Sequence, residues 1–235
     1  MSTFLELCQA VAQESGTVSN IGQPETTTGQ TGRLLRIMGW VTDAYKDIQR
    51  RQNAWRWLHR DFSGETISGV GDYDASALGI SERFSRWVFS CEGEGNLFTI
   101  YETAAGQVDE GFLQFKDWGY FRRNMLVGAN ATKTGSPIYV SVDPQNKLRL
   151  WPIPDGEYTV RGMYYQAPQV LAEDGDVPEM PEQFHDLIKW AALRKLGTFD
   201  EAFEQLPSWT AEYSRIMGEL NGNQLPQITL GGTLA

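Results

Sequence analysis

The sequence predicts an α+β fold: N- and C-terminal α-helices form a helical bundle that brackets an inserted antiparallel β module, a small sandwich or barrel. Three observations carry this. Residues 31–58 repeat apolar side chains at helical spacing, with charge on the opposite side. From Asp61 to Ala172, short β-prone runs alternate with Gly, Asn, Asp and Pro turns. After Pro181 the helical spacing returns.

Residues 3–15 read as a first helix. Phe4, Leu7, Cys8 and Val11 fall at helical spacing, and Thr3 with Glu6 forms a capping-box pattern. Gly, Asn and Pro between Gly16 and Gly29 mark a loop. The second helix is expected from Thr31 to Leu58. Leu34, Ile37, Val41, Ala44, Tyr45, Ile48 and Trp55 fall in one sector of its wheel, and Arg33, Arg36, Asp43, Lys46, Asp47, Arg50 and Arg51 in the other. Leu35 and Trp57 lie off the apolar stripe and suit packing against a second surface.

The β-prone runs are Trp87–Ser90, Leu97–Tyr101, Phe112–Phe115, Ile138–Val142, Lys147–Trp151 and Tyr158–Tyr165. Asp143–Asn146 reads as a hairpin turn, and Pro152–Gly156 as a second. Pro181 opens a third helix through Phe184, Leu187, Ile188, Ala191, Ala192 and Leu196, closed near Gly197. A fourth helix is expected over Asp200–Leu220, with Pro207 kinking or dividing it. The expected organisation is therefore residues 1–60 and 173–222 as a helical core, 61–172 as the β module, and 223–235 as an extended docking tail.

The formal net charge of −10 opposes general nucleic-acid binding. Its distribution is uneven. Between Gln30 and Arg60 seven basic residues face Asp43 and Asp47, whereas between Glu173 and Gly222 eleven acidic residues outnumber four basic ones. Arg33, Arg36, Arg50 and Arg51 are therefore expected to meet acidic surface on the same or an adjacent subunit. Trp57, at the aromatic end of the second helix, joins them as an interface candidate, because Trp and Arg anchor interfaces.

No run approaches the length and apolarity of a membrane span, and the opening residues do not read as a signal peptide. Cys8 and Cys91 read as buried free thiols, and His59 and His185 as surface or capping residues. No nucleophile elbow, phosphate loop or metal-ligand spacing occurs, so no enzyme activity, cofactor or metal is expected. Trp118, Tyr120 and Phe121 beside Arg122 and Arg123 suit either sugar or nucleic-acid binding, or β-module core beneath an exposed loop. Gly222–Ala235 carries no charge, and Leu225, Ile228 and Leu230 suit a strand added to a partner's sheet edge.

Four stretches carry a resemblance: Thr3–Gln9, Thr31–Gln49 continuing into Trp55–Leu58, Leu148–Asp155, and Asp176–Ala192. In this order the sequence resembles the adaptor (connector) proteins of tailed bacteriophages, particularly the short-tailed ones. The stretch from Phe62 to Thr134 carries none of the likeness. The resemblance implies a ring, usually of twelve copies, in the virion neck beneath the portal protein, assembled in the host cytoplasm. Such a ring joins the portal to a tail or nozzle protein and extends the DNA channel. Packaged DNA passes through without sequence-specific binding, no membrane is involved, and Leu225, Ile228 and Leu230 would dock on the portal. An acidic surface suits a conduit past which phosphate must slide, and a charge-asymmetric subunit suits head-to-tail contacts. Two other classes compete. One is a tail or capsid decoration module binding carbohydrate on a Trp118–Tyr120 platform. The other is a virion enzyme of peptidoglycan degradation.

Overall fold

The computed structural model describes residues 1–18, 22–52, 55–80, 82–90 and 95–225. The α+β class is as the sequence predicts. The helices are α1 Phe4–Glu14, α2 Gly32–Arg51, α3 Trp118–Met125, α4 Asp186–Phe199 and α5 Leu206–Gln224. The strands are β1 His59–Glu65, β2 Asp72–Tyr73, β3 Phe84–Val88, β4 Thr99–Glu102, β5 Gly111–Phe112, β6 Gln114–Phe115, β7 Tyr139–Val142, β8 Leu148–Trp151 and β9 Tyr158–Gln166. The chain divides into two compact units: Met1–Leu58 together with the chain from Pro168 onward, and His59–Ala167.

In the helical unit α4 packs against α1, α2 and α5. Its core joins Leu7 and Val11 of α1, Ile37, Val41 and Ile48 of α2, Leu187, Ile188 and Leu196 of α4, and Ile216 and Leu220 of α5. Each such side chain contributes roughly 1.5–3 kcal/mol on leaving water. The capping box forms as expected. The Glu6 N–H donates to Thr3 Oγ1 (3.2 Å), and the Thr3 N–H donates to the Glu6 carboxylate (2.9 Å).

Several boundaries differ from the sequence reading, each for a physical reason. Helix α2 stops at Arg51, where Gln52 turns extended, and not at Leu58. Trp55 reaches the same core by folding back, so that its indole N–H donates to the Ile48 carbonyl (3.0 Å). That bond fills one of the carbonyls that a helix end leaves without a partner. Helix α4 ends at Phe199, close to Gly197 as expected, with Gly197 itself still helical. A Cβ there would meet the Trp209 ring at 2.8 Å, so the glycine admits α5 at close range. Helix α5 begins at Leu206 and not Asp200, because Asp200 caps α4 through its N–H to Leu196 and Glu201 turns the chain at φ +55°. Pro207 therefore sits in the first turn, where its missing N–H costs nothing, and neither kinks nor divides the helix.

His185 is buried, not superficial. The Ser2 N–H donates to its Nδ1 (3.2 Å), leaving the Nε2 proton for the Met180 carbonyl (3.0 Å). Cys8 is a buried free thiol, and burial pushes it up to about 12. Cys91 lies outside the described residues.

The second unit holds two sheets. In the first, β9 is the axis: β1 runs antiparallel along it from His59↔Tyr165 to Glu65↔Thr159. On its other side β4 pairs with the first half and β3 with the second, and β5 lies beyond β4. The second sheet has the order β2-β8-β7-β6, antiparallel except for the parallel pair β6–β7. One core lies between the sheets, with Phe62, Trp87, Ile100 and Val160 from the first meeting Tyr73, Val140, Leu148 and Leu150 from the second. The expected sandwich is the result.

Two readings of this unit change. Phe112–Phe115 is not one strand: β5 and β6 belong to different sheets, and buried Leu113 lies between them. Pro152–Gly156 is no hairpin, since β8 and β9 also lie in different sheets and the segment crosses between them. Ile153 instead pairs with residues 133–135, donating to the Lys133 carbonyl and accepting from the Gly135 N–H (2.9 Å each).

Asp143–Asn146 is the expected hairpin turn, with Asn146 at φ +66°. The Asp143 carboxylate is 1% exposed. It accepts from the Gln145 and Lys147 N–H groups (2.9 Å each) and from Arg149 Nε and Nη2 (3.1 and 3.0 Å). Burial alone would raise this carboxyl, but the bonds from Lys147 and Arg149, with that from Gln145, together hold it below its ordinary 3.8. A depressed carboxyl stabilises above its unfolded pKa and loses that stabilisation as pH falls through the folded value. The β unit should therefore lose stability below about pH 4. Asp143→Asn should cost about 2 kcal/mol at neutral pH and flatten that acid decline. Melting temperatures from pH 7 to pH 2 check both; an unchanged acid slope in the variant would refute the assignment.

Candidate assembly surfaces

The basic residues of α2 divide between two places. Near its start, Arg33 grips Asp200 with two bonds, one of them Nη1 to Oδ1 at 3.0 Å, while its Nε donates to Thr17 Oγ1 (2.7 Å). The Arg33 bonds hold Asp200 below the ordinary carboxylate range. Arg36 lies over the Phe199 ring (4.6 Å), which also faces Trp40 (5.5 Å). One helix thus ties the C-terminal end of α4 twice within the same chain.

Near the end of α2, Arg50 and Arg51 line a groove of about 500 Å³ between α2, α4 and α5, together with Arg194, Lys195 and Tyr213. Arg51 Nη1 donates to the Tyr213 hydroxyl (3.0 Å), and Arg194 lies over the Tyr213 ring (4.4 Å). Lys195 pairs with Asp47 (2.6 Å). Among the described residues, Arg50, Arg51 and Arg194 have no carboxylate partner.

The other candidates fare differently. Trp57 is buried and stacked on Trp55 at 4.5 Å between centroids, so its ring is used inside the helical unit and not displayed. Leu225 follows α5 and is half-buried, while Ile228 and Leu230 lie outside the described residues. Trp118, Tyr120 and Phe121 fall on α3, which the sequence reading missed; the Asp117 carboxylate caps it by accepting from the Tyr120 N–H (3.0 Å). Phe121 is fully buried, Trp118 packs half-buried on it, and Tyr120 alone of the three is exposed. Sequence reasoning also missed Arg194, Lys195 and Tyr213 as a group. The first two stand in a net-acidic region, and Tyr213 falls at an apolar position of its helix.

The structure thus joins, in one chain, a helical unit with a basic groove to a β sandwich. Residues 2–230 match the family model of the SU10 adaptor protein, and the chain belongs to that family. It is a bacteriophage head-to-tail adaptor, as the four stretches led us to expect. A comparison with curated proteins finds no match.

Proposed function

We propose that this adaptor forms a ring in the virion neck that joins the portal protein to the tail and extends the DNA channel. The family match over nearly the whole chain carries the reading. The net charge of −10 supports it, since a conduit must not hold the phosphates that slide along it. The helical unit is the adaptor core, with Arg33 and Arg36 organising the end of α4, and the chain beyond Leu225 is the docking segment. Leu225, Ile228 and Leu230 add a strand to an open sheet edge of the portal.

The ring of about twelve copies that the resemblance implies assembles on the portal as template. No long coiled-coil seam in the sequence forces self-association. The purified chain should be monomeric by light scattering at micromolar concentration. Added to portal-bearing heads, it should form a closed ring, countable by cryo-electron microscopy, onto which the tail protein then docks. A stable ring of the isolated chain would overturn the template mechanism, and failure to join such heads would overturn the function.

A further inference from the structure

We infer that the groove between α2, α4 and α5 is a socket for the α4–α5 turn of the neighbouring copy in the ring. The inference rests on the ring reading above and names the contact that closes it.

The groove gathers four cations around one carboxylate. Asp47 is already paired with Lys195, and Arg50, Arg51 and Arg194 have no carboxylate partner among the described residues. Holding three guanidinium groups together unopposed is unfavourable, and on a chain of net charge −10 their natural counter-charge is acidic protein surface. Ile48, Leu206 and Tyr213 contribute apolar lining to the same groove.

The α4–α5 turn has the complementary chemistry. It places Phe203, 70% exposed, between Glu201 and Glu204, which are also exposed. Neither glutamate has a cationic partner in its own chain among the described residues. The turn is also held in shape. Arg33 grips Asp200 at its start, the Ala202 N–H donates to the Gly197 carbonyl (2.9 Å), and the Leu206 N–H donates to the Ala202 carbonyl (3.1 Å). A preformed knob loses little conformational entropy on insertion. An aromatic ring flanked by two carboxylates fits a groove lined by apolar side chains and cations. Knob and socket lie side by side, meeting at Leu206 and Thr210; used head to tail, one knob to one socket, the pair propagates around a ring until it closes.

The test is a charge-swap cycle on the full chain with portal-bearing heads. Arg50→Glu with Arg194→Glu reverses the socket, Glu201→Arg with Glu204→Arg reverses the knob, and a fourth protein carries all four changes. All these positions are at least partly exposed, and the melting temperature of each isolated protein is measured alongside. A variant that melts far below wild type is replaced by its glutamine counterpart, and Phe203→Ala removes the knob without altering charge. Either reversed pair, and Phe203→Ala, should lower ring occupancy by about tenfold or more, and the fourfold variant should return to within about threefold of wild type.

Wild-type occupancy in either reversed pair, or no recovery in the fourfold variant, would overturn the socket. So would salt-sensitive DNA binding by the wild-type chain that Arg50→Glu with Arg194→Glu abolishes. If the wild-type chain itself fails to join heads, the ring reading falls separately. Sedimentation of the same four proteins, at concentrations far above the micromolar range in which the isolated chain is expected to be monomeric, must then show the same loss and recovery of weak self-association, and its absence overturns the socket.

Discussion

Trp55→Ala should cost the helical unit about 3–5 kcal/mol, the largest single loss expected in that unit. Trp55 is fully buried, its ring stacks on Trp57, and its indole N–H closes the end of α2 through the Ile48 carbonyl. Alanine would leave a cavity of indole size, remove the ring stacked on Trp57, and take away the donor that the Ile48 carbonyl uses. A domain typically holds about 5–15 kcal/mol in total, so the variant should sit near the edge of folding at growth temperature. Trp55→Phe separates the causes. It keeps most of the ring and loses only the donor, for a cost of about 1–3 kcal/mol. Denaturant unfolding followed by circular dichroism measures both, with the two units fitted as separate transitions where the curves resolve. A loss below about 1 kcal/mol for Trp55→Ala would remove Trp55 from its place as the capping and packing centre of α2.

Deleting residues 226–235 should leave the melting temperature within a degree or two of wild type and reduce attachment to portal-bearing heads to background. Leu220 is the last buried core residue among those described, and α5 ends at Gln224. The deleted segment has no charged residue, and Ile228 and Leu230 stand two apart, the spacing of one strand face. Fixing it on a partner costs roughly 1–2 kcal/mol per residue in backbone freedom, so it docks only where main-chain bonds and apolar side chains are both satisfied. Head occupancy by quantitative gel, with melting measured in parallel, decides the matter. A truncated chain that joins heads at wild-type level, or one that cannot fold, contradicts the docking role. The socket variants differ from this one in that their loss is restored by a second charge reversal.

Long periodic helices and strands with dense alternation were legible in the sequence. The capping box at Thr3 and Glu6 and the Asp143–Asn146 turn were too, because each is set by residues close in the chain. Strand β1 was not. Its inward positions include Phe62 and then Gly64, where a Cβ would meet the Leu78 backbone at 2.7 Å. The residue that tight packing demands there is the one that erases the hydrophobic alternation. Helix α3 was hidden for a related reason: its aromatics suited a loop as well as a helix until Asp117 was seen to cap it. The end of α2 was misplaced because a helical wheel takes no account of a side chain beyond the helix end that reaches back to the core, as Trp55 does to the Ile48 carbonyl. The basic groove was the least legible feature of all. Its residues come from α2 and, more than a hundred positions later, from α4 and α5, and only tertiary packing brings Arg50 into one groove with Arg194.

That the helical unit is made from both ends of the chain has a consequence during synthesis. Helices α1 and α2 are complete by Arg51, but α4, which covers both, begins about 130 residues later, at Asp186. At about 5–20 residues per second, the ribosome leaves the apolar stripe of α2 without its main partner for on the order of ten seconds. The β unit, one unbroken stretch from His59 to Ala167, has everything it needs to fold in that interval. Chaperones therefore meet the N-terminal helices as the exposed part of a half-folded chain. The delay also acts as a proofreading step. The groove exists only once α5 has been made, so if it is the proposed socket, a nascent or prematurely ended subunit has none to offer a growing ring.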